Sequence, residues 1–247
     1  MSSMNSAGGK SFPVRPFKFN DFQKAAGDFR YLLNREYPRK ASLEIVGNRY
    51  GLTFDERHLL HRGVFSDVDS ESRRNKIISL KAIQGKDLAI DGHNVLITVE
   101  AGLSGRPLIF ADDGFVRDIS GLSGSFKKTE TTEKAIEWMV TFLKKQRPRH
   151  TLFLFDAPIS KSGILAREVR ASLKKEGLPG DALAMKVPEK TLIGFQGVVA
   201  TSDTAIIDRS EKVIDLAGDI IRTKIGSMFL LKLKRGRLIK RSRIKDK

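Results

Sequence analysis

Apolar residues recur at helical spacing near the start of the chain. Phe22, Ala25, Ala26, Phe29, Leu32 and Leu33 follow Asn20, a residue suited to capping a helix, and Tyr37-Pro38 ends the run. A second helical pattern starts near Ala41, carries Leu43, Val46 and Tyr50, and closes at Gly51. Thr53 and Glu56 then stand three apart, the spacing of a capping box, and predict a third helix over "FDERHLLHRGVF". Two helices about a short glycine-containing turn have helix-turn-helix spacing, but an αα-hairpin packed on the rest of the protein explains the same pattern and is preferred. "SRRNKII" near residue 75 reads as the boundary of this helical region.

Beyond residue 86 the period changes. "DLAIDGHNVLITVE" reads as a strand, a polar turn and further apolar residues, and "RPLIFADDGFVRDISG" as two short strands about the turn signal Asp113-Gly114. "TTEKAIEWMVTFLKKQ" is amphipathic at helical spacing, with Ile136, Met139, Val140 and Leu143 on one face. "HTLFLFDAP" is a buried strand, "SKSGILAREVRASLKKEG" a helix closed by Gly177, and "DALAMKV" and "GVVATSD" are further strands. "TAIIDRS" opens a helix, "KVIDL" is a short strand, and "AGDIIRTKI" is a last helix. Strands alternating with helices predict an α/β fold with a mostly parallel sheet. The expected organisation is a disordered Ser/Gly-rich segment over 1–15, a small all-helical domain over 16–75, the α/β domain over 86–226 and a basic tail over 227–247.

Composition narrows the functional classes. The chain has 247 residues, enough for one sizeable core with a smaller companion, and no cysteine, which removes disulfides, thiolate metal sites and cysteine nucleophiles. No run approaches the roughly 20 apolar residues of a membrane helix, and no apolar leader is visible, so a cytoplasmic location and no membrane partner are expected. Lys and Arg number 45 against 29 Asp and Glu, a net charge of +16. From Lys232 to the end, "KLKRGRLIKRSRIKDK" holds nine Lys or Arg against one Asp. Such a block reads as an arm lying along a polyanion, since each phosphate contact releases counterions. Nucleic acid is preferred over a membrane surface because the tail lacks an aromatic anchoring face. Lys232, Lys234, Arg235, Arg237, Lys240 and Arg241 are its candidate substrate contacts.

The candidate chemistry lies at strand ends. Asp91 follows "LAI", Asp156 follows "LFLF" and Asp203 follows "VVATS". Parallel sheets place ligands outside the carboxyl ends of their strands, and neighbours about 4.8 Å apart bring such aspartates within reach of one cation. Asp208, five residues past Asp203 and about one helical turn on, is a fourth candidate. Oxygen ligands of this kind suit Mg²⁺ or Mn²⁺. Each has a plainer reading: Asp203 also suits a helix cap, and Asp112, Asp113 and Asp118 suit turn chemistry, although their loop is long enough to fold over the same cleft. Asn94 is positioned to orient Asp91, and His93 either hydrogen-bonds locally or contacts substrate. Lys161 and Ser162 of "SKSG" open a helix and are candidate phosphate contacts, without the full phosphate-loop pattern. Phe115 and Phe195 are candidate stacking residues, with the core as the ordinary alternative.

"LAIDGHNVL" resembles the first strand of the PIN-like nucleases, especially their NYN branch, where DG-x-N opens the domain. "VVATSDTAIID" resembles the later strand-turn-helix of that superfamily. The resemblance covers roughly residues 86–225, and the whole chain resembles an archaeal family joining a helical N-terminal domain to a PIN-like C-terminal domain. It implies a three-layer α/β/α sandwich and a metal-dependent endonuclease acting on RNA, tRNA and rRNA being candidate classes. Carried over by position, Asp91 and Asp203 match metal ligands and Asn94 the accompanying polar residue, with Asp156 and Asp208 as further catalytic and metal-binding candidates. The chemistry expected is hydrolysis assisted by Mg²⁺ or Mn²⁺, leaving a 5′-phosphate and a 3′-hydroxyl. The pattern departs from the family in lacking a mid-chain helix with an inward acidic residue, for which Glu130, Glu133 and Glu137 are substitutes, and in the long "RPLIFADDGFVRDISG" insertion. The alternatives are an inactive PIN-like RNA-binding protein associated with the ribosome or tRNA, and a phosphotransferase using "SKSG".

Overall fold

The computed structural model describes residues 18–119, 129–159, 161–227 and 230–233. Four helices come first: α1 (Phe19–Leu33), α2 (Arg39–Arg49), α3 (Phe54–Gly63) and α4 (Asp67–Lys76). The capping box of α3 forms as its spacing predicts. Glu56 N donates to Thr53 Oγ1 at 3.3 Å, and Thr53 N donates to the Glu56 carboxylate at 2.6 Å. Helix α4 stands where the sequence suggested only a boundary, because it lacks an apolar stripe: Val68 is 77% exposed. Ser66 caps it, accepting from Asp69 N at 3.1 Å, and its inward side chains are Ser70 and Arg73. Phe22, Ala25, Ala26 and Phe29 of α1 pack with Val46, Leu59 and Leu60 in the helical core.

A five-stranded parallel sheet carries the rest, with helices on both faces. Its strands are β1 (Asp87–Asp91), β4 (His150–Asp156), β5 (Gly180–Met185), β6 (Val198–Ala200) and β7 (Val213–Ile214), in the order β5-β4-β1-β6-β7. The sandwich is therefore the expected α/β class. Strand periodicity assigns its two cores. Leu88, Ile90, Phe153, Phe155, Val198 and Ala200 share one with α5 (Gly92–Leu103), α6 (Glu130–Gln146), α7 (Ser162–Glu176) and α10 (Leu216–Lys224). Ala89, Leu154 and Val199 face the other, with α8 (Pro188–Ile193) and α9 (Thr204–Arg209). Burial on both faces is why these strands read as continuous apolar runs.

Two expectations need correction. Residues 92–103 form α5, without the polar turn expected after β1, so His93 and Asn94 sit in a helical first turn. Gly92 makes this possible, since a Cβ there would lie 2.6 Å from the Phe155 ring and 2.9 Å from Leu154 O. The expected basic tail begins with structure: β8 (Leu230–Lys232) pairs in parallel with β2 (Leu108–Phe110), which pairs antiparallel with β3 (Val116–Asp118). Lys232 is exposed on β8, while Lys234, Arg235, Arg237, Lys240, Arg241 and the segment 1–15 lie outside the described residues.

This small sheet couples the two regions. Ile109 of β2 and Leu231 of β8 enter the helical core, whereas Leu108, Val116 and Leu230 pack with Ala101 of α5 and Ile221 of α10. Gly63 lets α3 approach closely, for a Cβ there would lie 2.2 Å from Ile109 Cδ1. The insertion is thus a wedge holding the helical domain against the carboxyl edge of the main sheet. Among the described residues, no helix is long and apolar enough to cross a membrane.

Candidate functional site

The sheet winds outward in both directions from β1 and β6, and the crevice beyond their carboxyl ends is where open parallel sheets bind ligands. Asp91 closes β1 there. Thr201 Oγ1 donates to its carboxylate at 2.8 Å, and the main-chain N–H of Asn94 donates to it as well. Burial, followed by the nearby Asp203 and Glu189 carboxylates, pushes the Asp91 carboxyl up to about 7 despite those hydrogen bonds. Asn94 Oδ1 accepts from Ser202 N at 2.8 Å and from Ser202 Oγ at 2.9 Å, tying the start of α5 to the loop after β6. Asp203 opens α9, its Oδ1 accepting from Ala205 N at 2.8 Å and Ile206 N at 3.2 Å. The cap reading therefore holds for one oxygen. The other, Oδ2, accepts no hydrogen bond among the described residues, and the residue is exposed.

Asp156 ends β4, next to β1. Burial first and Glu189 second hold its carboxyl above the usual carboxylate range. Glu189, in the first turn of α8, thus lies near enough for its charge to act on both Asp91 and Asp156. It is an acidic residue that sequence reasoning missed, and its only signal is "VPEK", which suits any helix start.

Several expected substrate contacts have internal duties instead. His93 is buried, its Nδ1 accepts from Asp156 N at 3.1 Å, and its ring meets Phe155 edge-on at 5.2 Å. Burial pulls its imidazole down to about 4, so the ring is neutral and fixes α5 to β4; it is not available to stack on a base. Ser162 Oγ lies 2.6 Å from Asp156 O and 2.5 Å from Ile159 O, which removes it as a phosphate donor. Lys161 is exposed at the start of α7, in a left-handed conformation with φ 68°. Phe115 is fully buried and Phe195 partly so.

A cavity of about 430 Å³ lies between this edge and the helical domain. Asn94, Ser202 and Asp203 line one side; Arg39, His61, Arg62, Arg73 and Arg117 line the other, around Phe65. Three guanidiniums crowd that one ring, at 4.7 Å for Arg39, 4.6 Å for Arg73 and 5.1 Å for Arg117. Two are anchored by carboxylates from behind. Arg117 donates to both oxygens of Asp113, at 2.7 and 2.8 Å. Arg73 grips both oxygens of Asp208, at 2.7 and 2.9 Å. Asp208 is accordingly an arginine anchor, and an ion would have to displace that guanidinium to bind it. Asp112 receives a two-point contact from Arg30 at 2.8 and 2.9 Å, and Asp118 accepts from Thr98 at 3.0 Å. The insertion loop does reach the cleft, but its acids serve arginines and a threonine.

Among the described residues, no group of three acidic or histidine side chains is close enough to hold an ion alone. The donors still fit Mg²⁺, which keeps most of its waters and binds through one or two carboxylates plus substrate phosphate. Asp91 and the free oxygen of Asp203 are the two carboxylates that would hold it, since a cation would relieve the repulsion between them.

A family model described as a domain of unknown function (DUF5616) matches residues 80–219, and one described as a protein of unknown function (DUF434) matches residues 21–76. These limits coincide with the sheet and the helical domain. The uncharacterized protein MJ0935 of Methanocaldococcus jannaschii is 36% identical over 201 residues, covering 81% of this chain and 96% of that protein. No solved structure matches.

Proposed function

The chain belongs to the DUF5616 family, and we propose that within it this protein is a metal-dependent endoribonuclease working in the cytoplasm. The observation that carries the reading is Asp91: a carboxylate at the switch point, crowded by Asp203 and Glu189, opening beside a cavity rich in arginine. The DG-x-N and S-x-D motifs that resemble PIN-like nucleases fall at this crevice. A bound Mg²⁺ or Mn²⁺ supplies charge neutralisation at the scissile phosphate and activation of the attacking water. Thr201 and the Asn94 amide hold the Asp91 carboxylate, Asn94 Oδ1 fixes the Ser202 loop, and the Asp203 cap presents its second oxygen. Asp156 and Glu189 extend the acidic edge along β4 and α8. The net charge of +16 draws a polyanion in with little base readout.

The test is cleavage of a mixed RNA pool with Mn²⁺. Asp91→Asn and Asp203→Asn should each abolish it, and Asp208→Asn should retain RNA affinity because its role is to anchor Arg73. A second reading, an RNA-binding protein without hydrolytic activity, is favoured by the lack of a three-acid group among the described residues. It predicts RNA affinity with no thermal response to Mg²⁺ or Mn²⁺.

A further inference from the structure

The arginines across this cavity from Asp203 offer no ligand to a cation, and their charges are more than architecture requires. Arg39 bonds only main-chain oxygens, those of His61 and Val64, and pairs with no carboxylate among the described residues. Burial and the neighbouring Arg73 and Arg117 pull its guanidinium down to about 10, so an anion there would relieve it. Arg62 Nε is buried and makes no hydrogen bond among the described residues, while its nearest acid, Asp118, stands 3.8 Å from Nη2. Arg39, without a carboxylate partner, and Arg62, with an unpartnered Nε, thus line a space of about 430 Å³, large enough for a nucleotide-sized ligand.

We infer that this cavity is a binding site for a phosphate monoester, either the terminal phosphate of a nucleic-acid strand or that of a free nucleotide. A monoester carries about −1.5 to −2 charge at neutral pH and three acceptor oxygens, which suits several converging guanidiniums better than the single charge of a diester. Phe65 gathers three of the guanidiniums against its ring, where the π face offsets part of their mutual repulsion. The site goes beyond the hydrolytic reading, for it requires neither Asp91 nor a divalent ion.

The experiment is equilibrium binding to the full chain in chelating buffer. The probes are inorganic phosphate, adenosine 5′-monophosphate, and one RNA oligonucleotide bearing a 5′-phosphate, a 3′-phosphate or hydroxyls at both ends. A phosphorylated end should bind on the order of tenfold tighter than the hydroxyl form. Arg62→Gln should erase that preference with thermal stability unchanged, and Arg62→Lys should restore it in part. Asp91→Asn should keep the preference while losing cleavage, and absence of cleavage by the wild type would count against the nuclease and not against this site. Arg35→Gln, an exposed arginine over Tyr31, should change nothing. Strong binding of the free nucleotide would identify a small-molecule ligand, and preference for one oligonucleotide would identify a strand end. Equal affinity for phosphorylated and hydroxyl ends, with no response to phosphate or the nucleotide, overturns the inference whether or not the variants fold.

Discussion

Asp91 joins stability to function in one side chain. In the unfolded chain its carboxyl ionises near 3.8, and in the fold only near 7. The unfolded form therefore gains charge first as pH rises, and stability falls between about pH 4 and pH 7. Asp91→Asn keeps an acceptor for Thr201 and removes that penalty. It should stabilise the protein by about 1–2 kcal/mol at pH 8, a figure discounted for the residue's partial exposure, and by almost nothing at pH 4. Denaturant midpoints at the two pH values check this; a destabilised variant at pH 8 contradicts it. The buried Asp113 presents the opposite case, because it holds Arg117 and touches Arg73 at 3.4 Å. Asp113→Ala leaves two guanidiniums short of their partner and should cost about 3–5 kcal/mol in the same assay.

Among the elements, helix α5 shows both how much the sequence discloses and where it stops. "LAIDG" marks the strand end correctly, since burial on both faces leaves an unbroken apolar run before Asp91. That the chain turns directly into a helix was hidden in Gly92, whose meaning is the nearness of Phe155, a residue 63 positions later. His93 shares that blindness: its acceptor role depends on Asp156 N, and nothing local distinguishes it from a surface histidine. Its ring should stay neutral at pH 5.5, read from its nitrogen NMR shifts. Its own contribution to stability should fall from pH 6.5 toward 4, opposite in sign to that of Asp91, as the unfolded imidazole takes up its proton first. Strand β8 was masked by charge, because "LLK" is too short to outweigh the lysines around it. Leu230→Asp places a carboxylate against Ala101, Leu108 and Ile221 and should destabilise by about 2–4 kcal/mol, whereas a solvated tail would tolerate it. Asp91 and Asp156 at their strand ends were visible, and Asp203 stands three residues past β6 as the cap of α9. The Asp208–Arg73 clamp and Glu189 were not visible, since both depend on which helices the insertion and the crossovers bring to the sheet edge.

For the whole molecule, the wedge formed by β2, β3 and β8 sets acids and arginines on facing sides of one cleft, in a chain whose net charge is +16. RNA affinity should accordingly fall by about a thousandfold between 50 and 200 mM salt if six or so phosphates are contacted, a slope that titration of binding against salt reads directly. Binding of Mg²⁺ should release a proton from Asp91, so its affinity should rise between pH 6 and pH 8, as calorimetry in buffers of different ionisation heat would register. The most direct measurement of the central claim is Mn²⁺-dependent cleavage of a mixed RNA pool by the wild type and by the Asp91→Asn/Asp203→Asn double variant. Cleavage to 5′-phosphate and 3′-hydroxyl ends by the wild type, lost in the variant while RNA binding persists, is the predicted result. Equal cleavage by both proteins, or none by the wild type at any divalent concentration, would contradict it.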